Sequence, residues 1–219
     1  MKIAGIDYSK NSPAAVIMEL DEDLEVIGYD YVCFSSVKKV ANCDNKIVYY
    51  KKKDFRNDMD GYLFMRDNIM PALIDVDCVA FEGYAFAGTG KVFDIAEATA
   101  TTKIAIYESN IDMRIYEPTV IKMFGHGKGN AGKVEMNDAF NKVSSTDKPE
   151  WDIIPELRSP KEDLIDAYFI GKLLQMELKL RHGLVDLKSL PLKQIEIFNR
   201  CTKSNPVNIL SRDFLRKEV

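Results

Sequence analysis

Histidine and cysteine are scarce in this 219-residue chain: two histidines, His126 and His182, and four cysteines, Cys33, Cys43, Cys78 and Cys201. No two cysteines form a CxxC pair and no histidine cluster lies nearby, which argues against structural zinc and against a disulfide framework, and for a reducing setting. No run of about 18 apolar residues is present, so no membrane span is expected. The N-terminus begins in a strand-like segment without a charged-then-apolar leader, and a cytoplasmic location is expected. Internal repeats and low-complexity segments are also absent. Nor is there an excess of positive charge: 30 Lys and Arg against 34 Asp and Glu give a net charge of −4. A nucleic-acid partner normally needs a basic surface. That objection weakens if several acids belong to a metal site, because two divalent cations would neutralise four charges. The remaining composition, 46% hydrophobic and 29% charged, is that of a globular protein long enough for one substantial core.

Along the chain, Lys2 to Ser9 (KIAGIDYS) is a near-continuous apolar run ending in an acid, the pattern of a strand buried on both faces. Asp7 falls at its C-terminal end, where α/β sheets place their chemistry. Pro13–Leu20 and Leu24–Cys33 are two further strand-like runs joined by Asp21-Glu22-Asp23, which suggests an antiparallel meander. The segment 35–59 is polar and lysine-rich, with a short strand candidate, Lys46–Tyr50, feeding Lys51-Lys52-Lys53. It is expected to form an inserted loop or hairpin on the sheet's rim, its lysines either guarding a solvated edge or contacting phosphate. Asp60–Ile74 has helical periodicity with a bend near Pro71, and Asp77–Glu82 repeats the first strand's pattern of buried residues followed by an acid. A glycine-aromatic loop follows, then the small-residue helix Lys91–Glu108. Met113–Glu117 is expected as the last strand, with a short helix opening at Pro118 and a glycine- and lysine-rich loop, Gly125–Lys133, leading to another helix. After a connector containing Trp151 comes the helix from Lys161 to about Arg181, and 184–219 reads as an appended helical tail.

That long helix carries Asp163 and Asp166 at its start, on one face because they are three residues apart. Two acids there either favour the helix dipole as an ordinary first turn or form half of a metal site. Asp7 and Glu82, each ending a buried strand, favour the second reading. Together the four carboxylates offer enough oxygens for two hard cations, and a Mg²⁺ pair about 3.5–4 Å apart supports phosphodiester hydrolysis.

Several motifs, in order, resemble the RuvC-type Holliday-junction resolvases of the RNase H-like superfamily. They are the opening Gly5-Ile6-Asp7-Tyr8-Ser9, the strand-end Glu82, the segment Tyr116–Lys122, the loop Gly125–Lys133, and Asp163-x-x-Asp166-Ala167. The Gly5-Ile6-Asp7-x-Ser9-x-x-Ser12-Pro13 opening is most similar to phage-encoded members, which would place the protein in a bacterial host cytoplasm. The resemblance implies a mixed α/β RNase H-like fold, with three antiparallel strands, then parallel strands, flanked by helices. It implies a nuclease domain over 1–182, with the insertion at about 35–59 and a helical extension over 183–219. It further implies a homodimeric endonuclease that cleaves Holliday junctions or other branched DNA, with Asp7, Glu82, Asp163 and Asp166 holding two Mg²⁺ ions, for which Mn²⁺ would substitute. Lys122 and Lys133 are expected near the scissile phosphate. Lys128, Lys10 and the backbone of the glycine loop are further candidates for DNA contact, and Tyr84 and Phe86 are candidates for a base-wedging aromatic.

Two other motifs are set aside. Gly127-x-x-x-x-Gly132-Lys133 approximates a phosphate-binding loop, but Val134 replaces the Ser/Thr and no strand leads directly into it. His126 is expected either to assist near the phosphate or to face solvent. The helix Lys91–Glu108, with Thr99, Thr101 and Thr102, is expected to supply a dimer face. Two alternatives remain: an ATP-binding protein of the actin/sugar-kinase type, and a non-cleaving junction-binding protein of the same fold. The basic C-terminus (Arg212, Arg216, Lys217) would either extend the DNA contact or cap the domain.

Overall fold

A computed structural model describes residues 1–9, 11–41, 45–84, 91–149 and 160–201. Six strands form one sheet: β1 (Lys2–Asp7), β2 (Ala14–Leu20), β3 (Val26–Ser35), β4 (Ile47–Tyr49), β5 (Cys78–Glu82) and β6 (Asp112–Tyr116), in the spatial order β4-β3-β2-β1-β5-β6. Seven helices accompany it: α1 (Lys38–Ala41), α2 (Asp58–Ile69), α3 (Lys91–Glu108), α4 (Pro118–His126), α5 (Lys133–Lys142), α6 (Lys161–Arg181) and α7 (Leu192–Cys201). Strands β1 to β3 form the expected antiparallel meander, and β5 and β6 join β1 in parallel. The lysine-rich insertion differs from a hairpin. Its strand β4 pairs with β3 in parallel, through a short crossover containing α1.

Strand alternation divides the core between the two sheet faces. In β1, Ile3 packs with the α6 layer, while Ala4 and Ile6, together with Tyr8 just past the strand, pack with α2 and α3. In β5, Cys78 and Ala80 face α6, and Val79 and Phe81 face the opposite layer. Asp7 and Glu82 continue the α6-facing rows. Helix α6 is buried on most sides, with Leu164, Ile165, Phe169, Ile170, Leu173, Leu174 and Leu178 in the core and Asp163, Gln175 and Glu177 buried beside them.

Helix α6 approaches the sheet closely at Gly5. A Cβ there would stand 2.1 Å from the Ala167 carbonyl oxygen and 2.3 Å from the Gly171 nitrogen. Only hydrogen fits at Gly5, so the helix lies directly on the central strand two residues before Asp7.

Far along α6, Glu177 and Arg114 of β6 are fully buried and paired, with Arg114 Nε 2.9 Å from Glu177 Oε2. The Tyr116 hydroxyl donates to Glu177 at 2.7 Å, and Arg181 Nη2 lies 2.6 Å from Glu177 Oε1. Arg114 also donates from Nη2 to the Cys201 carbonyl at 2.9 Å, holding the end of α7 in the core. Ile197, Phe198 and Cys201 are buried, and Arg200 pairs with Glu117 at 2.8 Å. The part of the tail described here is therefore packed into the body, where it braces the start of α4.

Candidate active site

Pairing registers set the positions of the strand-borne acids. Asp7 pairs with Ala14, Ala14 with Cys33, and Cys33 with Ile47. On the other side, Ile6 pairs with Phe81 and Glu82 with Tyr116. Asp7 and Glu82 thus stand side by side, one step past the last β1–β5 pair. The Gly83 N–H donates to the Tyr116 carbonyl at 2.7 Å and fixes the backbone beyond Glu82. Because α6 crosses β1 at Gly5, its first two turns overhang this edge and bring Asp163 and Asp166 to it.

A cleft of about 380 Å³ opens here, lined by Asp7, Glu82, Asp163, Asp166, Lys122, Lys133 and Tyr84, with Thr99 of α3 and Met136 of α5 in its walls. All six residues expected to be catalytic therefore meet in one place, from β1, β5, α4, α5 and α6. Asp163 is 5% exposed and the other three acids are half-buried. Burial pushes the Asp7 carboxyl well above the usual carboxylate range, and the charges of Glu82, Asp166 and Asp163 add to the shift. Burial and Asp166 push Glu82 up to about 7, against the opposing pull of Lys122 and Lys133. Burial raises Asp166 to about 6, with Asp163 adding and Lys133 opposing. These groups lack enough positive charge nearby to ionise together.

Serine hydroxyls beside the acids were not anticipated as part of the site. Ser12 Oγ donates to Asp163 Oδ2 at 2.8 Å, and Ser9 Oγ in turn accepts from the Ser12 N–H at 2.9 Å. Their one signal in the sequence is the Ser-x-x-Ser spacing directly after Asp7. Glu162 was also missed. Lys133 Nζ lies 3.1 Å from Glu162 Oε2 and 3.7 Å from Asp163 Oδ1, so it is engaged with acids of α6. Burial opposes the charge of Lys133, but Asp163 and Glu162 outweigh it and raise the pKa.

The remaining candidates are placed differently. Lys128 is exposed and does not line the cleft. Gly127, at φ +88°, ends α4, and Gly132 precedes α5, so the glycine loop is a helix-to-helix turn. His126 is half-buried in the last turn of α4 and lines no part of the cleft. Tyr84 does line it, with Lys103 Nζ 4.7 Å from its ring centroid and 5.4 Å from that of Phe81. Thr99 and Thr102 are buried, and Thr102 donates to the Tyr8 hydroxyl at 3.0 Å. Neither threonine can contribute to an external dimer face. Lys10, Phe86, Trp151, Arg212, Arg216 and Lys217 lie outside the described residues.

The donor set matches hard divalent cations in chemistry, being all carboxylate oxygen with no thiolate or imidazole in the cleft. Among the described residues no three such groups close on a single point, so the acids line the cleft walls and do not form a closed cage. No described helix is long and apolar enough to cross a membrane.

No family model and no curated protein sequence matches the chain. Solved structures do. The structure of RuvC from Thermus thermophilus aligns with a TM-score of 0.53 at 15% identity, covering 84% of this chain and 98% of that one. T. thermophilus RuvC in complex with Holliday junction substrate gives 0.52 at 16% identity, covering 84% and 97%. The fowlpox virus resolvase, in complex with its substrate Holliday junction DNA, gives 0.50 at 16% identity, covering 81% and 99%. With its antiparallel-then-parallel sheet and flanking helices, the chain has the RNase H-like fold of the RuvC-type resolvases.

Proposed function

We propose that this protein is a metal-dependent endonuclease that cleaves Holliday junctions or other branched DNA. The observation that carries this reading is the meeting of four carboxylates and two lysines, from five elements, in one cleft on this fold. Asp7, Glu82, Asp163 and Asp166 would hold Mg²⁺ or Mn²⁺ ions, which supply an activated water and stabilise the leaving oxygen. Asp7 and Glu82 anchor the site on rigid strands. Asp163 is oriented by the Ser12 hydroxyl and the Lys133 ammonium. Lys122 places positive charge where the phosphate gains negative charge. Tyr84, its ring held against Lys103, presents a stacking surface for a base unstacked at the branch point.

Two cuts across a junction require two sites related by a twofold axis, which a C2 dimer provides. Helix α3 turns Phe93, Ile104 and Tyr107 outward, 75%, 57% and 74% exposed. With Ala100 they form a stripe at spacings of seven, four and three residues, suited to the same helix of a second copy. The test is cleavage of four-way junctions, forks, flaps and linear duplex by purified protein in Mg²⁺ and in Mn²⁺. Nicking of branched DNA, lost in Asp7→Asn and Asp166→Asn, is the expected result. Cleavage retained in both variants, or no cleavage of any substrate by the wild type, would sink the proposal.

A further inference from the structure

The lysine run of the insertion has no role in the cleft, yet it stands on the same edge of the sheet. The register puts Ile47 of β4 level with Asp7, three strands away. At about 4.8 Å per strand the lateral separation is roughly 14 Å. Lys51, extended, and Lys52 and Lys53, in the 3₁₀ turn Lys52–Asp54, follow β4 and are exposed. Among the described residues no acid forms an ion pair with any of them; Lys51 Nζ lies 5.9 Å from the Tyr49 ring centroid. Asp54 adjoins the run and is likewise exposed. From Ser36 to Arg56 the sequence carries seven basic residues against two acidic, within a chain of net charge −4.

Edge protection does not account for this run. A lysine guarding the open side of β4 would lie within the strand, whereas these three lie beyond its end. Lys46, which immediately precedes β4, already pairs with Asp30. The run is also rigidly seated. Tyr50 is buried and stacks on Phe55, with centroids 5.9 Å apart, and its hydroxyl donates to the Asn11 carbonyl at 2.5 Å. Asn11 belongs to the same β1–β2 connection as Ser12, which holds Asp163. Patch and cleft are thus joined by one short loop.

We propose that Lys51, Lys52 and Lys53 form a second DNA-backbone contact that grips one duplex arm beside the cleft. This rests on the reading of the cleft as a branched-DNA nuclease site. Taken between the strand axes, an offset of about 14 Å corresponds to about four base pairs at a rise of about 3.4 Å each. The lysines follow β4 beyond it, so the contact falls on the arm within about one helical turn of the cut. The substrate class it implies is a branch point with at least one continuous duplex arm of that length. Phosphate contacts of this kind position the DNA without reading its sequence.

The test measures binding of a four-way junction by fluorescence anisotropy over a series of salt concentrations. It compares wild type with Lys51→Gln/Lys52→Gln/Lys53→Gln, and with a Lys142→Gln/Lys188→Gln control that removes charge from exposed sites on other elements. The triple variant should bind more weakly, with a slope of log K against log salt shallower by about 3, about one per lysine. Its thermal midpoint and its cleavage rate at saturating protein should be unchanged. Phosphate ethylation on one arm between about four and ten base pairs from the cut should interfere with binding by wild type and not by the triple variant. An unchanged salt slope in a triple variant that still cuts overturns this inference alone. Wild-type protein that neither binds nor cuts branched DNA overturns it together with the reading of the cleft.

Discussion

Helix α6 buries acids at both ends, and the two ends are neutralised very differently. Near its C-terminus Glu177 is enclosed by Arg114, Arg181 and the Tyr116 hydroxyl, each within hydrogen-bond distance. Near its N-terminus Asp163 and Asp166 face Asp7 and Glu82 across a cleft where Lys122 and Lys133 are the lysines among the described lining residues. The first cluster is closed, with two guanidiniums on one carboxylate, and it joins β6, α6 and α7. The second is short of positive charge and open to solvent. The same helix therefore contains a structural ion network and a group of carboxyls that resist ionising together. Ionising these carboxyls together costs stability, and such local cost is typical of sites kept for function.

The sharpest test of this contrast removes one acid from each end. Asp7→Asn should lower cleavage of branched DNA by about 10³-fold or more, equivalent to about 4 kcal/mol of lost transition-state stabilisation. In metal-free buffer at pH 8 it should nevertheless raise the thermal midpoint. Glu177→Gln should do the opposite, destabilising the fold by about 3–5 kcal/mol, because it leaves two buried guanidinium groups without their carboxylate. Chemical denaturation of both variants measures this. If Glu177→Gln is neutral and Asp7→Asn destabilises, the distinction between the two ends fails.

Gly5→Ala should damage both ends together. Its methyl would meet backbone atoms of Ala167 and Gly171, and a loss of about 3 kcal/mol or more is expected. Gly171→Ala is the milder control, since the nearest atom there is the flexible Met18 Cε at 2.7 Å. Equal destabilisation by the two would show that the helix does not bear on the strand at Gly5.

The pH dependence of stability separates the clusters further. A carboxyl whose folded pKa is raised binds more protons folded than unfolded. Its stabilising contribution is present below the ordinary value of 4.5 for Glu82 and is lost as pH rises through about 7. The thermal midpoint of the metal-free protein should fall across that window, and Glu82→Gln should flatten the fall. At pH 8, millimolar Mg²⁺ should raise the wild-type midpoint by several degrees, as expected of a ligand that binds only the folded state. It should not do so in Asp7→Asn. Smallest is Ser12→Ala, which removes the hydroxyl from Asp163. About a tenfold loss of cleavage is expected, with a raised Mg²⁺ requirement and little change in stability.

Much of this was legible in local pattern. Alternation in β1 and β5 places Asp7 and Glu82 at strand ends, and helical spacing puts Asp163 and Asp166 on one face. The extents of α3 and α6 follow from their composition and flanking residues. Contacts between distant segments were not legible. Nothing near Ser12 in sequence indicates that it bonds Asp163, 151 residues away. The pairing of Lys133 with Glu162, the inward turn of Thr99 and Thr102, and the parallel pairing of β4 also depend on where whole elements lie. The packing of α7 depends on a buried arginine 87 residues earlier, which no periodicity in the tail reveals.

The sequence by itself determined the order of elements, the sheet's two-faced core and the identity of the four acids. These follow from side-chain periodicity and backbone preference, which act over a few residues. Only the tertiary structure decided that the acids share one cleft. That depends on two glycines, Gly5 and Gly171, letting a helix lie against the central strand. It also decided that Glu177 meets two guanidiniums while Asp7 meets three other carboxyls, because packing across the chain sets which charged groups come together.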